Sequence, residues 1–132
     1  MKHILLLPLI ILNGISMQCL AADKSDTVDF SDPSKVVQEI FTAAKSKNTT
    51  RLSSLCDPTG KNDGDTKDIC AVNPKHKKWE SFLKWFSKGK LKGDAVITGE
   101  RAKVPFFFGP TGKKTEEMNL VKRDNKWYLS SF

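Results

Sequence analysis

The sequence is short of the residues and patterns that build most catalytic and metal centres. Its 132 residues include three cysteines, two histidines and one tyrosine. No serine lies in a Gly-x-Ser-x-Gly setting and no glycine-rich phosphate loop is present, so the usual signatures of hydrolases and nucleotide-binding proteins are missing. Beyond the N-terminal segment, two cysteines and the single histidine His76 do not supply the four ligands of a structural zinc site. We identify no catalytic residue and expect neither a metal nor a cofactor.

A long hydrophobic run is also missing. The apolar stretch at residues 4–12 is too short to span a bilayer, which takes about 20 residues. It follows a basic start and precedes the small residues Ala21-Ala22, the order typical of a secretory signal. We predict a signal peptide over residues 1–22, cleaved near Ala21-Ala22, and export to the periplasm or the exterior. The alternatives are a retained anchor or a lipid on Cys19, although Gln18 is not the small residue that lipidation favours.

Residues 23–132 have no repeat, low-complexity tract or linker, which predicts a single domain. Residues 23–70 carry seven Lys/Arg and nine Asp/Glu, a net of −2, and residues 71–132 carry fourteen and six, a net of +8. The basic half favours an anionic envelope component as a partner, or it simply keeps a small exported protein soluble. Nucleic acid is not expected as a partner outside the cytoplasm.

The two cysteines of the mature chain, Cys56 and Cys70, predict a disulfide. An even number of cysteines in an exported domain favours a cross-link, because the compartment is oxidising. A bridge that closes a loop of this length contributes about 3 kcal/mol on the chain-entropy model. The alternative is a pair of free thiols.

Helical signals dominate the first half of the domain. Asp32-Pro33 predicts a helix start, with an apolar stripe over residues 36–44, and a shorter helix is predicted over residues 50–55. Residues 57–69 are dense in turn formers and predict a loop, whose aspartates lack the spacing of a calcium site. A third helix is predicted over residues 75–88, with Gly89 as a left-handed cap.

The second half changes to the alternating pattern of strands. Strands are predicted over residues 95–98, 101–108, 114–121 and 127–129, with turns at the glycines of residues 99 and 109–112 and at Asp124-Asn125. Pro105 cannot donate a ladder hydrogen bond and should therefore lie at an edge or a bulge. Helices followed by an antiparallel meander predict an α+β fold with the helices on one sheet face.

With these segments in place, the chain resembles the nuclear transport factor 2-like (cystatin-like) superfamily, above all its small exported bacterial members. The resemblance covers nearly all of the mature chain, through residues 43–47, 52–56, 82–86, 90–94, 100–104, 109–113 and 121–129. It implies a curved sheet wrapped around the first helix, a conical cavity and dimers through the sheet face. The superfamily includes isomerases, dehydratases and hydrolases as well as binding proteins, so the fold alone does not choose a function.

Two aromatic residues, Trp85 and Phe107, remain once the core is assigned, and we expect them at the mouth of the cavity or in a contact patch. Further candidate contact residues are Lys84, Lys88 and Tyr128. The basic, aromatic helix could also lie on anionic lipid, but its apolar residues are needed to cover the sheet. We expect a non-enzymatic exported domain that binds a small apolar ligand or a protein partner. The alternatives are a small cavity enzyme acting on a hydrophobic substrate and a secreted effector or immunity-type inhibitor.

Overall fold

The computed structural model describes residues 27–132, which form three α-helices and a five-stranded antiparallel sheet. In chain order the elements are α1 (Pro33–Ser46), a 3-10 turn (Leu52–Ser54), α2 (Gly64–Ala71), α3 (Trp79–Phe86), β1 (Lys90–Leu91), β2 (Val96–Thr98), β3 (Arg101–Phe108), β4 (Lys114–Arg123) and β5 (Lys126–Ser131). The predicted α+β class is confirmed. The predicted signal peptide, residues 1–22, lies outside the described residues. Within the described part of the chain, no helix is both long and apolar enough to cross a membrane.

The first helix begins and buries its apolar stripe as predicted. The Asp32 carboxylate accepts a hydrogen bond of 2.9 Å from the Ser34 amide, and Pro33 occupies the first turn, where its missing donor costs nothing. The helix ends at Lys47, which adopts the left-handed conformation at φ 58°. The apolar stripe is buried, and its members are Val36, Val37, Ile40, Phe41 and Ala44.

The sheet is organised around β3. On one side β3 pairs with both β1 and β2, and on the other side it pairs with β4, which in turn pairs with β5. Its inward residues Ala102, Val104 and Phe106 are buried, as the alternation predicts. The β4–β5 turn uses Asp124 and Asn125, both at positive φ (51° and 63°), which suits a tight hairpin.

Pro105 lies in a central strand but faces a break in its neighbours. The Pro105 carbonyl accepts a hydrogen bond of 3.0 Å from the Lys92 amide, in the connection between β1 and β2. In an antiparallel strand the N–H and C=O of one residue point to the same side, so the missing donor of Pro105 faces this interruption. The prediction of an edge or bulge position is therefore wrong, and Pro105 is tolerated in the central strand because it lies opposite the gap between β1 and β2.

The first helix packs on the sheet through Phe41. Its ring centroid lies 5.6 Å from that of Phe106 on β3 and 6.4 Å from that of Phe86 on α3. Gly89 is the point of closest approach, because a Cβ there would lie 2.6 Å from Cε1 of Phe41. The prediction of a left-handed cap at Gly89 is wrong, since Gly89 is not among the glycines with positive φ. This glycine is required for space rather than for backbone conformation.

The outer edge of β5 is covered by the chain that follows the 3-10 turn. The Leu129 amide donates to the Leu55 carbonyl (2.7 Å), and the Asp57 amide donates to the Leu129 carbonyl (3.0 Å). Cys56, between them, forms the predicted disulfide with Cys70 of α2, with the two Cα atoms 6.2 Å apart. The disulfide therefore joins α2 to the sheet edge.

Asp57 forms a bidentate ion pair that holds this edge. Its side chain is only 1% exposed and accepts from Arg123 Nε and Nη2 at 2.7 and 2.8 Å. The amide and hydroxyl of Thr59 each donate to the same carboxylate at 2.9 Å. The Arg123 hydrogen bonds, aided by those from Thr59 and opposed by burial, lower the pKa of Asp57 to about 2.

Three helical segments differ from the sequence-based prediction. The predicted shorter helix over residues 50–55 is only the 3-10 turn Leu52–Ser54. The predicted loop over residues 57–69 contains most of α2, because the Asp63 carboxylate caps the Thr66 amide (2.8 Å) and Ile69 is buried on the core side. The third helix begins at Trp79 rather than residue 75. The Asn73 side chain accepts from the Lys75 amide at 2.8 Å and favours a turn before the helix.

Gly89→Ala tests the close approach of the chain to Phe41. The new methyl group would overlap the ring, so we expect a loss of about 1–3 kcal/mol in the free energy of unfolding. Gly64→Ala is the matched control, because nothing lies within 4 Å of a Cβ there, and it should be neutral or slightly stabilising. Urea denaturation measures both, and equal effects would contradict the steric role of Gly89.

Replacing both cysteines by serine tests the link between α2 and the sheet edge. We expect the free energy of unfolding to fall by about 3 kcal/mol, because the open chain regains conformational entropy. Denaturation with and without a reducing agent provides the measurement. A double variant as stable as the oxidised protein would contradict the contribution of the disulfide.

Acid titration of stability tests the Asp57–Arg123 pair. Because the pKa of Asp57 is lower in the folded protein than its ordinary value of 3.8, the pair stabilises the fold above about pH 4. That contribution is lost as the pH falls through about 2. Asp57→Asn should cost about 2 kcal/mol near neutral pH and much less at about pH 2, as measured by chemical denaturation. A cost independent of pH would contradict this assignment.

Candidate functional site

An open pocket lies where α2 and α3 meet the end of β3 and the start of β4. Its volume is about 800 Å³, within the range of small-molecule sites. The apolar part of its wall consists of Ile69 and Val72 beside five aromatic residues, Phe82, Trp85, Phe86, Phe108 and Phe132. We call this cavity the aromatic pocket.

The aromatic side chains of the pocket contact one another. The Phe108 ring centroid lies 5.5 Å from Trp85, 5.9 Å from Phe86 and 6.4 Å from Phe132. Phe86 and Phe132 are 6.0 Å apart in an edge-on arrangement. Such distances are those of favourable tilted and edge-to-face pairs, so the rings hold one another in a fixed wall.

Phe132 reaches the pocket because β5 contains a bulge. Leu120 pairs with Leu129 while Asn119 pairs with Ser131, which leaves one extra residue on β5. An extra residue reverses the faces of the side chains that follow, so Phe132 joins the inner face. The Asp63 carboxylate also accepts a 3.1 Å hydrogen bond from the Phe132 amide.

Trp85 is positioned from the turn between β3 and β4. The Gly109 amide donates a 2.7 Å hydrogen bond to the Trp85 carbonyl, which ties α3 to this turn. The Lys114 ammonium lies 4.9 Å from the Trp85 ring centroid, in a cation–π contact. Gly109 adopts φ 96°, and a Cβ there would lie 3.3 Å from Cγ of Lys114, so the lysine stem lies close to the turn.

The rim of the pocket carries charges of both signs. Asp65 and Asp68 come from α2, Lys78 precedes α3, and Lys113, Lys114 and Glu116 come from the start of β4. Asp68 pairs with Lys78 at 3.3 Å. Oε1 of Glu116 lies 3.3 Å from the Glu117 amide and accepts a hydrogen bond from it.

The structure separates the contact residues that the sequence singled out. Trp85 lines the aromatic pocket. Phe107 lies on the opposite face of β3, where the ammonium groups of Lys90 and Lys92 lie 5.5 and 5.8 Å from its ring centroid. Tyr128 packs on Phe30 with ring centroids 5.2 Å apart.

The two candidate lysines of the third helix region do not line the pocket. Lys84 and Lys88 are exposed, and neither is part of the pocket wall. The side chains that do line it from β4, above all Lys114, were not singled out by the sequence. The position of Lys114 could have been predicted from the alternation of the strand, because Lys114 shares the inner face of β4 with Met118 and Leu120.

Volume alone does not distinguish the aromatic pocket from other depressions. A depression of about 960 Å³ lies beside Phe30 and Lys126, but its wall consists mostly of polar side chains. Another, of about 340 Å³, lies beside Val96 and Asn119. The aromatic wall singles out the first pocket. Within residues 27–132 no group of three or more His, Cys, Asp or Glu side chains could hold a metal ion.

No protein-family model and no curated protein matches the sequence. Among solved structures, the chain is similar to one from Campylobacter jejuni described as a nuclear transport factor 2-like transpeptidase. The sequence identity is 14%, and the TM-score is 0.49 over 76% of this chain and 97% of that chain.

Proposed function

We propose that the protein is an exported binding protein that holds a small apolar molecule in the aromatic pocket. The observation that carries the proposal is the cluster of five aromatic rings and two aliphatic side chains that lines one part of an open space of about 800 Å³, whose remaining lining is charged or hydroxyl-bearing. Apolar walls with a few polar groups at the rim are typical of ligand sites. The free energy for binding comes from removing apolar surface of both partners from water.

The half-buried state of Trp85 and Phe108 supports this proposal. Both rings pack against the core and line the pocket while remaining partly exposed, whereas their neighbour Phe86 is 6% exposed. A flat ligand that packed against their exposed parts would add aromatic contacts to the burial of surface. We therefore expect the pocket to bind a molecule with an aromatic or acyl body more tightly than a polar one.

The disulfide supports the proposed compartment. Cys56 and Cys70 are bonded, and structural disulfides persist mainly in proteins outside the cytoplasm. The cross-link also holds α2, which supplies Ile69 and Asp68 to the pocket. An oxidising compartment would therefore maintain the binding site itself.

Native mass spectrometry of protein purified gently from its producing cells tests the proposal. We expect a heat-releasable small molecule on the wild type, retained by Trp79→Ala and lost or strongly reduced in Trp85→Ala. Both tryptophans are half-buried on α3, but only Trp85 lines the pocket, which makes Trp79 the matched control. Removing the Trp85 ring should weaken binding about 10-fold or more.

Two results would contradict the proposal. One is a bare wild-type chain that also fails to bind apolar compounds added afterwards. The other is a bound molecule that survives Trp85→Ala and is lost in Trp79→Ala. A second polypeptide in place of a small molecule would direct attention to a protein partner instead.

A further inference from the structure

Lys114 differs from the other charged groups on the rim of the aromatic pocket. Its ammonium lies 4.9 Å from the Trp85 ring centroid, and within residues 27–132 no carboxylate forms an ion pair with it. A cation over an aromatic face keeps hydrogen-bond donors for another partner. Lys114 therefore holds a positive charge at the edge of an apolar wall.

The rim also carries three carboxylates. Asp68 forms an exposed ion pair with Lys78 at 3.3 Å, and Glu116 lies on the same face of β4 as Lys114, two residues along the strand. Asp65 lies in the first turn of α2, on the wall opposite β4. Lys113 adds a second positive charge next to Lys114. The β4 side of the rim is thus the side that favours an anion.

Lys114 also lies next to the apolar wall along the strand. It pairs with Phe108 across the β3–β4 ladder, so the two side chains share the inner face. A molecule resting on Phe108 and Trp85 would present its end to the Lys114 ammonium. The apolar body of the ligand would then contact the aromatic wall, and its acidic end would lie beside the positive charge on the rim.

We infer that the ligand of the aromatic pocket is an apolar carboxylic acid, whose carboxylate pairs with Lys114 while its aromatic or acyl body covers Trp85 and Phe108. The inference rests on the proposed function and adds the chemical class of the ligand. A charge-assisted hydrogen bond from the exposed Lys114 ammonium supplies the preference for the acid over a neutral analogue.

Matched pairs of probes test the inference by calorimetry. Naphthalene-2-carboxylate and naphthalene-2-carboxamide have nearly the same shape but differ in charge, and decanoate and decanamide provide the acyl pair. We expect the wild type to bind the acid of at least one pair about tenfold more tightly than its amide. The preference should shrink with added salt, because a rim-exposed ion pair is screened.

Lys114→Met keeps an unbranched side chain beside Trp85 but removes the charge. We expect it to lose the preference for the acid, so that the ratio of the acid and amide Kd values falls toward one. The ratio is the readout because loss of the contact with Trp85 affects both ligands alike. Lys84→Met is the matched control, because Lys84 is an exposed lysine that does not line the pocket, and it should keep the preference. Measurable binding of the amide by Lys114→Met shows that the variant still has a pocket in which acid and amide can be compared.

The possible failures can be distinguished. If acids and amides bind equally well, or if Lys114→Met keeps the preference, the inference about the ligand class is overturned while the proposed function stands. If no probe of either pair binds with a Kd below about 1 mM and the protein purified from its producing cells is bare, the proposed function fails together with the inference. If the molecule recovered from those cells is not an acid, the inference alone is overturned.

Discussion

The packing of α1 on β3 is the constraint on which the rest of the structure depends. Phe41 lies against Phe106, and the chain can pass behind it only because Gly89 has no side chain. This contact fixes where α3 ends and where β1 begins, on either side of Gly89. The centre of the sheet is thereby closed, with Val104 and Phe106 fully buried.

The same packing explains why a pocket forms where it does. Phe108 is two residues beyond Phe106 on the same face of β3 but is only half buried. Its cover comes from Trp85 and Phe86 of α3 and from Phe132, whose rings surround rather than fill the space. The fully buried core thus ends at Phe106, and the next inward aromatic residue, Phe108, is left to line a pocket.

The opposite wall of the pocket depends on cross-links more than on burial. The short helix α2 buries Thr66 and Ile69, and its start is capped by Asp63, which also binds the Phe132 amide. The disulfide and the covered edge of β5 supply the remaining attachment. A helix with so few buried residues would otherwise be only weakly held.

The sequence predicted those features that local pattern determines. The cap and stripe of α1, the alternation of β3 and the turn at Asp124-Asn125 follow from capping, period and turn chemistry, and the structure confirms them. The composition of α2 resembles that of a loop, and its helix signal is limited to the local cap at Asp63, with the rest supplied by tertiary attachments.

The candidate site was predicted only in part, because it depends on contacts between distant segments. Trp85 was expected at the mouth of a cavity and lines the pocket. Phe107 lies on the other face of the sheet, as alternation with Phe106 and Phe108 requires. Alternation alone places Phe132 outward, and only the bulge in β5 brings it inward.

The central claim is that the aromatic pocket is a ligand site, and the three tryptophans of the chain report on it directly. Trp85 lines the pocket, whereas Trp127 is buried beside β4 and Trp79 lies outside the pocket wall. The measurement is a nuclear magnetic resonance titration of the three indole N–H signals with the molecule recovered from the producing cells or with naphthalene-2-carboxylate. The account predicts a saturable shift that is largest at Trp85 and negligible at Trp127. An unmoved Trp85 signal, or equal shifts at all three, would contradict it.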